Sequence, residues 1–262
     1  MAGQTENNNV TLFFDSVLLE TPLKPENFNR LESNIILTAN TLNGTTFETG
    51  LNIYEDLQKN DSDRYQFTLP YYDYTSNYFP EKFSNGYITL ESKGSNSLIN
   101  TNNLTTKIIN NLSYKNFAKI SSRGFVNNYG IYLKNLNTVA KNDTRYKTSP
   151  QSQIMGLINF ESKLPLKKQN LQYENLLTPK VSLRISPNDT DDYSQTDRAI
   201  SAFNIFDINR LGIDEALEPG RSLTLGVDFR RNNKEHPLKF TQLKLGKMFR
   251  DINEDNIPIS SS

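Results

Sequence analysis

The feature that most constrains this chain is a strict alternation of apolar and polar side chains between Arg221 and Arg230. Successive side chains of a β-strand point to opposite faces, whereas an α-helix repeats about every 3.6 residues. The alternation therefore predicts a β-strand with one apolar face and one polar, charged face. The apolar positions are Leu223, Leu225, Val227 and Phe229, and the polar positions are Ser222, Thr224, Gly226, Asp228 and Arg230.

A polar segment leads into this strand. Between Asn204 and Arg221 the chain carries Asn209, Arg210, Gly212, Asp214, Glu218, Gly220 and Arg221. A polar loop followed by a long alternating strand is typical of an outer-membrane β-barrel, in which lipid-facing and lumen-facing side chains alternate. On this basis we predict lipid-facing side chains at Leu183, Ile185, Leu223, Leu225, Val227 and Phe229. We predict lumen-facing side chains at Lys180, Arg184, Thr224 and Asp228.

Alternating segments recur along the chain, and the pairs Asn43-Gly44 and Asn85-Gly86 favour tight turns between them, because both residue types tolerate positive φ. The third segment is predicted to end at Pro70. With about 9–11 residues per spanning strand, the fold class predicted is all-β, an antiparallel transmembrane β-barrel fragment of about ten strands with open edges. The predicted strands lie near 31–39, 47–53, 65–69, 86–90, 104–114, 129–133, 154–160, 177–186, 221–231 and 240–250.

Two segments depart from this pattern. Ile200, Phe203 and Phe206 recur at helical spacing, which predicts a helical turn within Ala199 to Leu217. A cluster of aromatic residues fits two interpretations: an interfacial aromatic girdle, or a tyrosine-rich loop that packs on itself. Its members are Tyr71, Tyr72, Tyr74, Tyr78 and Phe79.

Composition excludes several classes of protein. The 29 basic residues balance the 29 acidic residues, so the chain lacks the basic footprint of a nucleic-acid-binding protein. It has no run of about 18 apolar residues, so no transmembrane helix is predicted. Barrel strands remain possible, because they place an apolar residue only at every second position. The absence of cysteine excludes disulfides, thiolate metal sites and cysteine nucleophiles.

The ordered series of segments resembles one family, the LPS-assembly outer-membrane protein LptD, also called the organic solvent tolerance protein. The stretch NIFDINRLGIDEALEPGRSLTLGVDFR (204–230) matches that family's pattern NIF-x-x-NR-x-G-x-D, followed by an acidic residue, a glycine and an alternating strand. Leu176 to Asp189 resembles the preceding strand, and Leu243 to Ser262 resembles the following one. Thr46 to Tyr74 matches an earlier part of the barrel more loosely. The lack of cysteine departs from family members that use disulfides between their periplasmic and barrel parts.

The resemblance implies transport rather than bond-making, so we expect no enzyme activity. It implies insertion of lipopolysaccharide (LPS) into the outer leaflet of the cell outer membrane. The acyl chains would pass through a lateral opening and the sugars through the polar lumen. The implied partners are LPS, a plug lipoprotein seated in the barrel, and a periplasmic bridge protein that delivers LPS.

Residues that could carry chemistry are scarce. The single histidine, His236, has no second histidine or cysteine to share a metal, and we expect neither a catalytic residue nor a cofactor or metal. Two acidic groups, Asp61 with Asp63 and Asp189 with Asp191 and Asp192, lack the glycine and distal glutamate of a calcium-binding EF-hand loop. In the family-like segment, Arg210, Asp214, Glu218 and Arg221 either touch a phosphate-bearing glycolipid or pair with one another to fix the loop.

We predict that residues 1–262 form a single partial barrel domain. Met1 to Glu6 has neither a basic region nor an apolar core, so no secretory signal is predicted, and the C-terminus lacks an aromatic-ended closing strand. The resemblance implies that a periplasmic domain and the closing strands are missing. The first and last strands are therefore expected to be open edges, which recruit other chains, and the isolated piece is expected to aggregate in water.

Two other classes fit the alternation. Half-buried antiparallel strands also build a soluble β-sandwich used for adhesion or binding, although sandwich strands are shorter, about 5–6 residues. A carbohydrate-active enzyme on a β scaffold would need two carboxylates about 5–9 Å apart.

Overall fold

The protein is built from antiparallel β-strands. The structure, a computed structural model, describes residues 9–16, 30–42, 44–59, 61–80, 85–187, 200–236 and 238–251. In these residues the regular elements are 13 strands and one 3-10 turn, Asp61–Arg64. The strands are β1 (Asn9–Ser16), β2 (Arg30–Asn40), β3 (Thr46–Asp56), β4 (Tyr65–Tyr78), β5 (Gly86–Ile99), β6 (Asn103–Asn116), β7 (Lys119–Ile120), β8 (Val126–Lys141), β9 (Gln151–Lys163), β10 (Leu166–Gln169), β11 (Tyr173–Ser186), β12 (Gly220–Asn233) and β13 (Phe240–Arg250).

The strands form one sheet whose order follows the sequence. Hydrogen-bonded neighbours run β1-β2-β3-β4-β5-β6-β8-β9-β11-β12-β13, with β7 beside β8 and β10 beside β11. The sheet is not closed, which confirms the prediction of an all-β, antiparallel fold with open edges. In the described part of the chain, no helix is long and apolar enough to cross a membrane.

The local structure differs from the sequence predictions in four places. The 3 additional strands, β1, β7 and β10, were not predicted; β7 and β10 have only 2 and 4 residues, too few to show alternation. Residues 200–217 form turns rather than a helix, because tertiary contacts rather than a helical repeat place their side chains. The third predicted strand does not end at Pro70, and the aromatic cluster at 71–78 belongs to strand β4 rather than to a loop.

Strand β4 passes through Pro70 because the sheet is irregular there. Its register with β5 shifts between Thr68 and Tyr71, and the facing pairing of β3 shifts between Gly50 and Asn52. A proline has no N–H to donate to the ladder, so within sheets it is tolerated at such bulges. The bulge thus allows 14 residues to continue as one strand.

The chain divides into two compact units. The first comprises Met1–Phe79, Ile88–Leu112 and Lys134–Ile154, and the second comprises Pro80–Tyr87, Ser113–Leu133 and Met155–Ser262. In the first unit, tyrosine rings cover buried glycines on the neighbouring strand. Tyr71 lies opposite Gly50, and Tyr72 lies opposite Gly94. A Cβ added to Gly50 would lie 2.8 Å from Tyr71 Cε1, so the absence of a side chain makes room for the ring.

A chain of side-chain hydrogen bonds also crosses the first unit. The successive donor–acceptor distances are 3.1, 2.7, 3.2 and 3.0 Å. Because side chains two positions apart share a face, this row shares its face with Leu90 and Leu112, both exposed. The polar row therefore lies beside exposed apolar side chains, and its members hydrogen-bond to one another. They are Tyr72, Ser92, Asn110, Asn135 and Ser152.

In the second unit the register aligns two unlike faces. Leu183 is directly opposite Leu223 on β12 and Phe160 on β9, and Leu223 is opposite Phe249 on β13. On the other face, Ser182 is opposite Thr224, and Arg184 is opposite Ser222. The apolar row is exposed and the polar row is buried: Leu183 is 45% exposed, whereas Thr224 is 0% exposed. Most water-soluble proteins bury the apolar face instead.

Candidate functional site

The polar face of β11, β12 and β13 is covered by residues 200–219, here called the covering segment. Its turns are held locally: the backbone N–H of Ile213 donates to Asn209 Oδ1 at 3.1 Å, and that of Gly212 donates to the Asn209 carbonyl at 3.0 Å. Gly212 and Gly220 have φ of +65° and +79°, a conformation that favours glycine. The family-like glycines thus shape the segment and its entry into β12.

The covering segment is anchored by a buried ion pair. Arg210 and Glu218, 2% and 5% exposed, join through Arg210 Nε and Glu218 Oε2 and through Arg210 Nη2 and Glu218 Oε1 at 2.6 Å. Arg210 Nη2 also donates to Ser222 Oγ at 2.9 Å, and its Nη1 donates to Thr224 Oγ1 at 3.4 Å. This two-pronged geometry is the strongest type of arginine–carboxylate contact, and it ties the segment to β12.

Two further arginines border this pair from the strands beside β12. Arg184 donates from Nη1 to the Asp207 carbonyl and from Nη2 to the Ile208 carbonyl, both at 2.8 Å. Arg250 Nη2 lies 3.1 Å from Glu218 Oε1. Arg184 and Arg250 both pair in register with Ser222, so three neighbouring strands present this polar row to the covering segment.

Apolar residues of the covering segment pack over two glycines. Gly226 on β12 pairs directly with Gly246 on β13. A Cβ added to Gly226 would lie 2.6 Å from Phe206 Cε2, and one added to Gly246 would lie 3.1 Å from Ile205 Cγ2. The two glycines therefore create the depression that receives Ile205 and Phe206.

We expect Gly226→Ala to destabilise the protein by about 1–3 kcal/mol, the usual cost of overpacking. The new Cβ would also lie 2.9 Å from the Leu245 carbonyl oxygen, so movement of Phe206 alone does not relieve the strain. Chemical unfolding followed by far-UV circular dichroism measures the change. The matched control is Gly156→Ala, whose Cβ would have its nearest contact at 3.4 Å. Equal effects of the two substitutions would contradict this packing.

A polar cavity adjoins the covering segment. It has a volume of about 260 Å³ and is lined by Phe206 and Ile208 of the segment together with polar and aromatic side chains of the strands, among them Lys115, Tyr132, Asn159 and Glu161. Nearby, Lys180 forms an ion pair with Asp228, and its Nζ lies 5.4 Å from the centroid of the Phe206 ring. The surface beside the segment therefore offers both ring faces and hydrogen-bonding groups.

The electrostatic environment of Glu218 predicts acid sensitivity. Burial alone raises the pKa of its carboxyl, but hydrogen bonds from Arg210 and the charges of Arg210, Arg184 and Arg250 hold that pKa below its usual 4.5. A lowered pKa stabilises the folded state above about pH 4.5, and this stabilisation is lost as the pH falls through the folded-state pKa.

We therefore expect the stability difference between the wild type and Glu218→Gln to be constant from pH 7 to about 5 and to narrow below pH 4.5. Urea unfolding in neutral detergent at several pH values measures it. A difference that stays constant down to pH 3 would show that the carboxylate charge is not what holds the segment.

The structure separates the residues predicted from the family-like segment. Arg210 and Glu218 pair with each other. Arg221 instead pairs with Asp251 at 3.7 Å, and Asp214 is exposed, as is Asn209. Thus the interpretation in which the charged residues of this segment pair with one another holds only for Arg210 and Glu218.

The residues predicted on the two faces alternate as the sequence indicates. Lys180, Arg184, Thr224 and Asp228 share one face. On the other face Leu183, Ile185, Leu223 and Leu225 are exposed, and Val227 and Phe229 are half-buried. Whether these faces meet lumen and lipid stays a prediction.

Sequence reasoning missed several residues of the site. Ser182 was not named, and Ser222 was named as a polar strand position but not as a site residue, although both continue the polar alternation. Arg250 lies at the end of the last described strand. The alternation predicts which face it lies on but not that it contacts Glu218. Phe206 was read as part of a helical repeat, and no local signal marks its contact with Gly226.

The other candidate residues do not assemble a metal site. His236 is exposed, and its backbone N–H donates to Asn233 Oδ1 at 3.1 Å. Within the described residues no group of three or more histidine, cysteine or acidic side chains could hold a metal ion. The acidic group at 189–192 lies outside the described residues.

Comparison of the chain with protein-family models and with curated proteins finds no match.

Proposed function

We propose that this chain is part of an outer-membrane β-barrel that inserts LPS into the outer leaflet, as the resemblance to the LptD family implies. The observation that carries the proposal is the inverted burial in β11 and β12. Their side chains Leu183, Ile185, Leu223 and Leu225 are exposed, whereas Ser182, Arg184, Ser222 and Thr224 are buried. A lipid environment offers an apolar solvent for the exposed face, and large exposed apolar surfaces mark membrane or protein contacts.

The hydrogen-bonded row Tyr72–Ser92–Asn110–Asn135–Ser152 supports the same environment. In hydrocarbon every polar group needs a partner within the protein, because water does not supply one. Beside exposed Leu90 and Leu112, the row's side chains bond to one another across five strands. A surface in water would not require that satisfaction.

In this proposal the polar face and the covering segment belong to the lumen. LPS arrives from a periplasmic bridge protein, its sugars pass along the polar lumen, and its acyl chains leave through a lateral opening. A plug lipoprotein occupies the remaining space. No bond is made or broken, so the chain's residues act by contact alone.

Site-specific photocrosslinking in the producing Gram-negative cell tests the proposal. A photoreactive residue at Tyr132, on the polar cavity, is expected to give an LPS adduct in the outer-membrane fraction, whereas one at exposed Leu171, outside the strands, is not. Recovery of the chain in the aqueous fraction without LPS adducts would refute the proposal. That result would favour the soluble β-sandwich binding protein, and hydrolysis of a glycan by the purified chain would favour the carbohydrate-active enzyme.

A further inference from the structure

Three buried or largely buried arginines share one carboxylate in the second unit. Arg184, Arg210 and Arg250 all act electrostatically on Glu218. Among the described residues, Arg210 and Arg250 form ion pairs with Glu218, whereas Arg184 donates to backbone carbonyls. Three positive charges and one negative charge leave an excess of two positive charges around Ser222, with which Arg184 and Arg250 pair in register. Burying charge without a counter-charge is costly.

Arg250 is the member of this cluster whose hydrogen bonds are incomplete. Arg184 is satisfied by two carbonyls and Arg210 by Glu218 and Ser222. Arg250 Nε and Nη2 are buried, and neither makes a hydrogen bond, although Nη2 is close enough to Glu218 to form an ion pair. These two nitrogens form the edge of the guanidinium that Arg210 uses to bind its carboxylate. On the equivalent edge of Arg250, Nε thus has no partner, and Nη2 has an ion pair with Glu218 but no hydrogen bond.

We propose that the Arg184–Arg210–Arg250 cluster is an anion site that binds a phosphate group, with Arg250 as its two-pronged donor. Phosphate matches both the fork of an arginine and the excess positive charge. These two nitrogens are buried, but the Arg250 side chain as a whole remains 16% exposed, so movement of this one side chain would open them to a ligand. The source of the phosphate rests on the proposed function, because LPS, the proposed transported molecule, is a glycolipid that carries phosphate groups.

Thermal unfolding of the purified full chain in a neutral detergent tests the site, with inorganic phosphate compared with chloride at equal ionic strength. We expect phosphate to raise Tm in a saturable way, because a ligand that binds only the folded state stabilises it. Arg250→Gln is expected to weaken the apparent phosphate affinity about tenfold, the loss typical of hydrogen bonds to a charged group. Arg231→Gln, a change at an exposed arginine of the same unit, should leave it unchanged.

Arg250→Lys keeps the charge but loses the fork, so it should bind phosphate more weakly than the wild type and more tightly than Arg250→Gln; it also provides the test if the glutamine variant does not fold. The proposal is overturned if phosphate and chloride act alike, or if the wild type and the folded Arg250 variants bind phosphate equally.

LPS and chemically dephosphorylated LPS then separate the sources of phosphate. A greater rise in Tm with intact LPS, lost in the Arg250 variants, assigns the site to the glycolipid, whereas a response to inorganic phosphate alone assigns it to a soluble phosphate compound. Because this measurement uses purified protein, its failure is distinguishable from failure of the cellular crosslinking experiment.

Discussion

Arg210→Met is expected to destabilise the protein by about 3–5 kcal/mol, the usual cost of removing one partner from a buried ion pair. The substitution removes both contacts to Glu218 and the bonds to Ser222 and Thr224. It leaves Arg250 as the one described residue in an ion pair with the buried Glu218 carboxylate. Urea unfolding in neutral detergent measures the loss, and limited proteolysis should cut first within residues 200–219.

The exposed ion pair between Arg221 and Asp251 supplies the control. Arg221 is 74% exposed at its side chain, and its Nε lies 3.7 Å from Asp251 Oδ2. Arg221→Gln should therefore change the stability by about 1 kcal/mol or less. If Arg210→Met costs no more than this control, the ion pair does not anchor the covering segment.

Leu183→Arg is expected to cost about 2–4 kcal/mol in a lipid bilayer if the residue lies near the bilayer midplane. Leu183 is 45% exposed and is flanked in register by Leu223 and Phe160, so no neighbouring charge on those strands compensates the arginine. The same substitution at an exposed position of a water-soluble protein changes stability by only about 0.5 kcal/mol. Unfolding of protein refolded into phospholipid vesicles measures the difference.

Leu171→Arg is the matched change outside the strands. Leu171 is 96% exposed between β10 and β11, and we expect a change of about 0.5 kcal/mol or less there. A small effect at both positions would indicate that the exposed apolar face is not in contact with hydrocarbon, and it would favour the soluble alternative.

The sequence alone determined ten of the thirteen described strands and which of their side chains share a face. Alternation is a local property of a strand. Leu223 and Thr224 are therefore predicted to lie on opposite faces without knowledge of the neighbouring strands. The ten longer predicted strands are all present, and the family-like segment is the one that covers the polar face. Local patterns failed at Pro70, where a bulge in two neighbouring strands lets β4 continue, and at Phe206, whose helical spacing produced no helix.

Only the tertiary structure decided what those faces contact. No periodic pattern in residues 200–219 predicts which strands they pack against. Ile205 and Phe206 occupy a depression that exists only where Gly226 and Gly246 pair across two strands. Arg250 meets Glu218 because β13 pairs with β12 in one register, and a shift of one residue would turn its side chain to the other face. Such contacts join residues distant in sequence, so their energies depend on strand pairing that no local pattern specifies.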